Sequence, residues 1–352
     1  MDIWSVAWLG TPAWMWVVFM TLILGLLAFD LGILSRRHKS HTGGGVDAET
    51  DTPQEIGIAA SLRLSAFYIS VALLFGLWVW SALGQQSAVQ YYTAFAIEKA
   101  LSLDNIFVIS LIFTALAIPR KYQHRVLFWG ILGVIVLRGV MIGVGTALVS
   151  GFDWVLWVFG AFLLITGLRL LIQKDKEDTP PDIERHPVAR LVRRVLPVTP
   201  ELHGQRFLVR AHDKLGQVRL HATPLLLALA MVEVADVVFA VDSIPAVFAI
   251  TQEPFLVYTS NIFAILGLRA LYFALAALVH RFEGLKPALA LVLVFIGAKI
   301  FYTHFFGKLD PVISLGVTLA ILTGGVVYSL WKTRGDGDKG DSDRGDAEKS
   351  LT

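Results

Sequence analysis

The chain has 352 residues, of which 55% are hydrophobic and only 16% charged, with 30 Gly, 10 Trp, no cysteine and a formal net charge of +2; its mean hydropathy is +0.65. A soluble domain carries about 25% charged residues, so the composition is that of a polytopic membrane protein, and the lack of cysteine excludes disulfides, zinc–thiolate sites, iron–sulfur clusters and catalytic thiols. The small net charge says little, because in a membrane the placement of Lys and Arg outweighs their sum.

The predicted fold is all-α, with about nine transmembrane helices. Apolar windows of about 20 residues fall at 13–34, 63–83, 88–118, 125–149, 152–172, 223–250, 255–280, 285–306 and 311–331. No basic n-region and no small-residue cleavage site precede the first window, which is expected to be a retained helix rather than a signal peptide. Windows three and six are longer than a crossing needs, which predicts tilt or a break. Basic residues cluster after window one (Arg36, Arg37, Lys39), between three and four (Arg120, Lys121, Arg125), between seven and eight (Arg281, Lys286) and after nine (Lys332, Arg334). The loop after window five adds Arg190, Arg193, Arg194, Arg206, Arg210 and Arg219, whereas the alternate connections hold only Lys308. The positive-inside bias therefore predicts an outside N-terminus and a cytoplasmic C-terminus. Trp4, Trp8, Trp14, Trp154, Trp157 and Trp331 fall near window ends, as an interfacial aromatic belt would.

Two polar regions are expected outside the bilayer. The basic loop at 173–222 has two strand-like runs around Asp213 and Gly216, which predict a small cytoplasmic β-hairpin. The tail at 332–352, rich in Asp, Gly, Lys and Ser, is expected to be disordered. The basic loop most simply marks topology and touches anionic lipid; no nucleic-acid partner is expected.

Two motifs carry the chemistry. Glu98, Asp104, Asn105 and Ile106 repeat as Asp236, Asp242, Ser243 and Ile244, each a carboxylate, five residues, an Asp, a small polar residue and Ile. Each carboxylate at the centre of a membrane helix costs about 2.5–3.5 kcal/mol on the insertion scale. The similarity continues with Arg138 matching Arg269, and with Gly160 and Ala161 matching Gly297 and Ala298. Carboxylate motif, arginine and Gly-Ala thus recur in the same order at 88–172 and 223–306. Because each unit has three helices, the second is expected to be inverted, with a midplane site between the two. Residues 1–87 then hold two peripheral helices, and 307–331 a ninth.

Six residues along a helix turn through about 600°, so Glu98 and Asp104 do not share a face, whereas Glu98 and Asn105, or Asp236 and Ser243, do. Either the helices break within the motif or each carboxylate meets a partner from the other repeat. Pro245 favours a break in the sixth span. The candidate metal ligands, Glu98, Asp104, Asn105, Glu233, Asp236, Asp242 and Ser243, all offer oxygen, which suits manganese, magnesium or calcium and disfavours copper(I) or zinc. The bland alternative is a set of structural ion pairs, Glu98 with Arg138 and Asp242 with Arg269 or Lys299. Arg138, Arg269 and Lys299 are expected to balance charge, and Asp30 either to cap the first helix or to gate.

These residues carry a resemblance. FDLGI at 29–33, EKALSLDNIFV at 98–108, EVADVVFAVDSIPA at 233–246 and SNIFAILGLRA at 260–270 resemble the TerC family, in particular its Alx-like bacterial members, over about 13–331. The resemblance implies a bacterial inner-membrane protein of the LysE-like transporter superfamily, linked to manganese export and to a tellurium-resistance phenotype. Without cysteine that phenotype is expected to be indirect. Two functions follow as expectations: export of Mn²⁺ by alternating access, coupled to protons, with no permanently bound cofactor; or a membrane-assembly partner that delivers metal to envelope proteins without independent transport. Neither is an enzyme. No His-Glu-x-x-His or Gly-x-Ser-x-Gly occurs.

Overall fold

The computed structural model describes residues 7–8, 10–39, 58–152, 154–172, 187–195, 197–199, 201–212, 218–275, 285–307 and 309–329. The tail at 332–352, the connection at 173–186 and the turn of the hairpin at 213–217 lie outside the described residues. The chain divides into two compact units, residues 1–55 with 253–255, and residues 56–252 with 256–352.

In the first unit, β1 (Ala7–Trp8) and β2 (Thr11–Pro12) pair antiparallel, with Gly10 at φ 83° in the turn. That left-handed conformation costs glycine nothing. α1 (Ala13–Lys39) follows, and its Trp16 and Phe19 meet Phe255 edge-on at 5.1 and 6.4 Å between ring centroids. Asp30 on α1 is buried.

The second unit runs α2 (Ile58–Leu83), α3 (Gln85–Ala115), α4 (Arg120–Gly151), α5 (Trp154–Ile172), α6 (Pro187–Val195), β3 (Leu208–His212), β4 (Val218–Ala222), α7 (Pro224–Phe248), α8 (Pro254–Leu266), α9 (Leu268–Leu275), α10 (Leu285–Phe306) and α11 (Pro311–Ser329). Gly84, at φ 87°, reverses the chain between α2 and α3. α7, α8 and α11 open on proline, whose missing N–H would be unpaired in a first helical turn anyway. β3 and β4 pair antiparallel, with Arg210 opposite Leu220.

This is an all-α polytopic membrane protein. Among the described residues, eight helices are long and apolar enough to cross a bilayer, α8 and α9 together forming one of them at Pro254–Phe273. α3, the third of the nine predicted spans, reaches 31 residues but carries Glu98, Lys99 and Asp104 along its middle. Outward-facing side chains such as Leu74, Val136, Ile165 and Val238 are exposed and apolar, the pattern of a surface solvated by lipid.

The break lies elsewhere than expected. α7 is continuous through Pro245, which sits one turn before its end and withdraws a single donor, the N–H that would bond the Val241 carbonyl. Membrane helices tolerate such a proline because neighbouring groups satisfy the freed backbone. The interruption falls instead at Gly267, between α8 and α9. There Lys99 reaches across from α3 and donates from Nζ to the Ala264 carbonyl at 3.0 Å. An unbroken helix would offer that acceptor to the N–H of Leu268.

α5 and α10 pack with backbones almost touching. A Cβ on Gly297 would stand 2.8 Å from the Gly160 carbonyl and 2.9 Å from the Leu164 nitrogen; one on Gly167 would meet the Ala290 carbonyl at 2.8 Å. In lipid no hydrophobic force drives helices together, so such small-residue contacts carry the packing. Gly297→Ala is therefore expected to lower stability by about 1–3 kcal/mol through overpacking. Gly143→Ala on α4, where nothing lies within 4 Å, is the control and leaves stability unchanged or higher. Thermal unfolding of the two variants in the same detergent checks this, and equal melting temperatures would contradict it.

Candidate functional site

The motif helices α3 and α7 pack directly on one another, and α4 packs on α7. Glu98 and Arg138 lie near the middle of α3 and α4, and Asp236 at the middle of α7's 25 residues. The three side chains meet. Arg138 donates from Nε to Asp236 Oδ2 at 3.0 Å and from Nη2 to Asp236 Oδ1 at 2.9 Å. This is the two-pronged fork that suits a guanidinium to a carboxylate. Its Nη1 donates to Glu98 Oε1 and to Asn261 Oδ1 on α8. Glu98 and Arg138 are each 1% exposed and Asp236 7%, so one cation faces two carboxylates away from water.

The polar partners are exchanged reciprocally. Ser243 Oγ donates to Glu98 Oε1 at 3.3 Å, and Asn105 Nδ2 donates to Asp236 Oδ1 at 3.5 Å. The first carboxylate of each motif therefore meets the small polar residue of the other, which requires α3 and α7 to run antiparallel at this point. Of the two arrangements open from sequence, unbroken helices with cross-motif partners is the one found. The sevenfold spacing explains it: seven residues return to nearly the same face two turns on.

Apolar clusters close the site on both sides. Along α7, Leu225, Leu227, Ala228, Met231 and Val232 belong to one cluster; Ala240, Ile244, Val247 and Phe248 belong to another, with Asp236 between them. α4 repeats the order, with Val126 and Leu127 before Arg138 and Ile142 and Val149 after it. On α3, Ala94 precedes Glu98 and Ile106, Ile109 and Phe113 follow Asn105.

The other predicted site residues are placed as follows. Glu233 is partly buried over Gly133 of α4, where an added Cβ would collide with its Oε1; its Oε2 is buried without a hydrogen-bond partner among the described residues. Asp242 is half-buried and makes no ion pair or hydrogen bond among the described residues. The backbones of Asp104 and Arg269 lie in α3 and α9, but both side chains fall outside the described residues. Lys299 donates to Ser314 Oγ at 3.0 Å, tying α10 to α11. Among the described residues, no three His, Asp or Glu side chains come together as a metal-holding group.

Asn261 is the site residue that sequence reasoning missed. The available signal was weak, an amide after Tyr258, Thr259 and Ser260 within a helix long enough to be buried. The Asn261 Nδ2 and the Glu98 Oε2 are both buried without hydrogen-bond partners among the described residues.

Arg138→Ala is expected to cost about 3–5 kcal/mol, because it strands two buried carboxylates. Arg138→Met combined with Glu98→Gln and Asp236→Asn should recover most of that loss, since no uncompensated charge is left. Melting temperatures in detergent test the pair; a single variant as stable as the unmodified protein would show that the cluster is not load-sharing.

Comparison with known proteins identifies the lineage. The model of the TerC family of integral membrane proteins matches residues 83–337. An uncharacterized membrane protein of Myxococcus xanthus, STKORF319, is 45% identical over 325 residues, 92% of this chain and 94% of its own. One from Rickettsia felis is 44% identical over 315 residues, 90% of this chain and 97% of its own. Alx of Salmonella typhi, whose name offers a membrane-bound redox modulator as a proposal, is 40% identical over 330 residues, 92% of this chain and 95% of its own. No solved structure matches. The matched span and these identities over nearly whole chains place this protein in the TerC family of integral membrane proteins.

Proposed function

We propose that the chain exports a divalent cation, manganese, across the bacterial inner membrane by alternating access at the Glu98–Asp236 site. The observation that carries the reading is the occluded cluster: two carboxylates from separate helices, ringed by amide and hydroxyl groups, held by a single arginine. With Arg138 the two carboxylates keep a net charge of −1; a divalent cation would neutralise both. Arg138 thus acts as the internal cation of the empty carrier and moves aside as the cargo enters. The oxygen atoms of Asn105, Ser243 and Asn261 complete a hard-cation ligand set. Asp242 and Glu233 follow and precede Asp236 along α7 and would extend the acidic path from it.

Two further observations support an inverted repeat as the moving machinery. The motifs exchange partners reciprocally, and the motif-equivalent Gly160 and Gly297 meet face to face. Rocking of one three-helix unit against the other would open the site alternately to each side. Export is the direction the family resemblance implies. Carboxylates that bind metal when ionised and release it when protonated couple outward metal to inward protons. The positive-inside pattern puts the start of α4, α6 and the β3–β4 hairpin in the cytoplasm. A redox role of the kind proposed for Alx would not run through a thiol here, since the chain has no cysteine. It would follow from the metal moved, as would tellurium resistance.

Purified protein in proteoliposomes is expected to move radioactive Mn²⁺ faster with an imposed pH gradient than without. Asp104→Ala and Asp242→Ala should bring flux down to that of empty vesicles while leaving membrane insertion intact. Glu98→Gln is expected to do the same. Full flux in all three variants would remove the carboxylates from the transport path. No flux from correctly oriented unmodified protein would favour the assembly-partner reading.

A further inference from the structure

A second surface stands apart from the buried acids. α6 turns Val188 and Ala189 into the same apolar cluster as Leu225, Leu227 and Ala228 at the start of α7. Its opposite side shows Arg190, Leu191, Arg193 and Arg194, with Leu191 63% exposed. The hairpin has the same two-sidedness. Val209 and His221, opposite each other in the ladder, are buried, whereas Leu208, Arg210 and Leu220 on the other face are exposed. Alternation along each strand puts those three on one side. Arginines and leucines are thus interleaved on one small module.

The module's position is fixed by its root. Thr223, the residue between β4 and α7, donates from Oγ1 to the Arg206 carbonyl at 2.7 Å and from its backbone N–H to the Phe207 carbonyl at 3.0 Å. Arg125, early in α4, lies over the Phe207 ring at 5.2 Å and donates to Gln205 at 3.3 Å. The hairpin is therefore tied to the first turns of two membrane-spanning helices. Leu220 is four residues before Pro224, a reach of at most about 14 Å. That keeps Leu220 close to the start of α7, a helix long and apolar enough to cross a membrane.

We infer that these two exposed sides, Leu191, Arg193 and Arg194 on α6 and Leu208, Arg210 and Leu220 on the hairpin, are docking surface for anionic phospholipid headgroups. Arginine forks match phosphate, and leucines among them match the apolar layer immediately beneath. A nucleic acid would use the arginines but leave the leucines in water. The inference goes beyond the transport reading and stands without it, because none of these residues touches the carboxylate cluster.

The lack of cysteine allows a unique label. Leu220→Cys and Leu191→Cys, each in the full-length protein, take an environment-sensitive fluorophore, and the protein is reconstituted in nanodiscs of phosphatidylethanolamine alone or mixed with phosphatidylglycerol. With phosphatidylglycerol, both labels are expected to shift to the blue, to be quenched by headgroup spin-labelled lipid and to lose several-fold in quenching by aqueous acrylamide. High salt should reverse this, and so should Arg193→Gln, Arg194→Gln and Arg210→Gln together at an unchanged melting temperature. Labels that stay open to acrylamide in the anionic discs would overturn the inference. So would equal protection in phosphatidylethanolamine alone, or protection that appears only when RNA is added. The lipid and salt comparisons decide the matter even if the triple variant fails to fold.

Discussion

One guanidinium shared by two carboxylates in the buried interior of a membrane protein sets the terms for the rest of the structure. Glu98 and Asp236 cannot both stay ionised away from water without a counter-charge, and only Arg138 supplies one at bonding distance among the described residues. That demand fixes the mutual register of α3, α4 and α7, since a slip of one residue turns a side chain about 100° away. It also explains the apolar clusters on either side of the cluster. A charge triad is strongest, and costs most to disturb, where water is excluded. Counted as ionised, the two carboxylates exceed the arginine by one negative charge, and Glu98 Oε2 and Asn261 Nδ2 make no hydrogen bond among the described residues.

Glycine gives that charged interior its room. Gly133 lies beneath the Glu233 carboxylate, and Gly267 beneath the Lys99 ammonium; a Cβ at either would collide with the charged tip. Gly160, Gly167 and Gly297 serve a different end, letting α5 and α10 approach backbone to backbone. The same residue type therefore does two jobs here, close packing between helices and space for buried charge. The interruption at Gly267 joins them, since it both accommodates Lys99 and leaves the Ala264 carbonyl to receive its proton donor.

The basic module is mechanically continuous with this core. It is rooted on α4 and α7, the helices that bring Arg138 and Asp236, and its own inner face shares an apolar cluster with both. Force on the module therefore bears on α4 and α7, the helices that carry Arg138 and Asp236.

Much of this was legible in the chain itself. Long apolar windows dictated membrane helices, because an unpaired backbone has no other way to cross lipid. The windows coincide closely with α1, α2, α4, α5, α7, α10 and α11. The cost of a carboxylate in lipid singled out Glu98, Asp104, Asp236 and Asp242 alike, and a seven-residue spacing put Asn105 and Ser243 on the faces of Glu98 and Asp236. Strand-like runs around a turn marked where β3 and β4 pair. What sequence could not decide was partnership. Charge alone let Arg138 serve a salt bridge or an empty site, and gave no hint that Asn261 would join it from a helix more than a hundred residues away. Local propensity pointed to Pro245 for a break, but Pro245 sits where the helix was about to end, while the interruption falls at an ordinary-looking Leu-Gly-Leu, beside the Ala264 carbonyl that a distant lysine takes. Periodicity is a property of the chain and can be read along it; which buried charge meets which is settled only when helices from opposite ends of the sequence close the same volume to water.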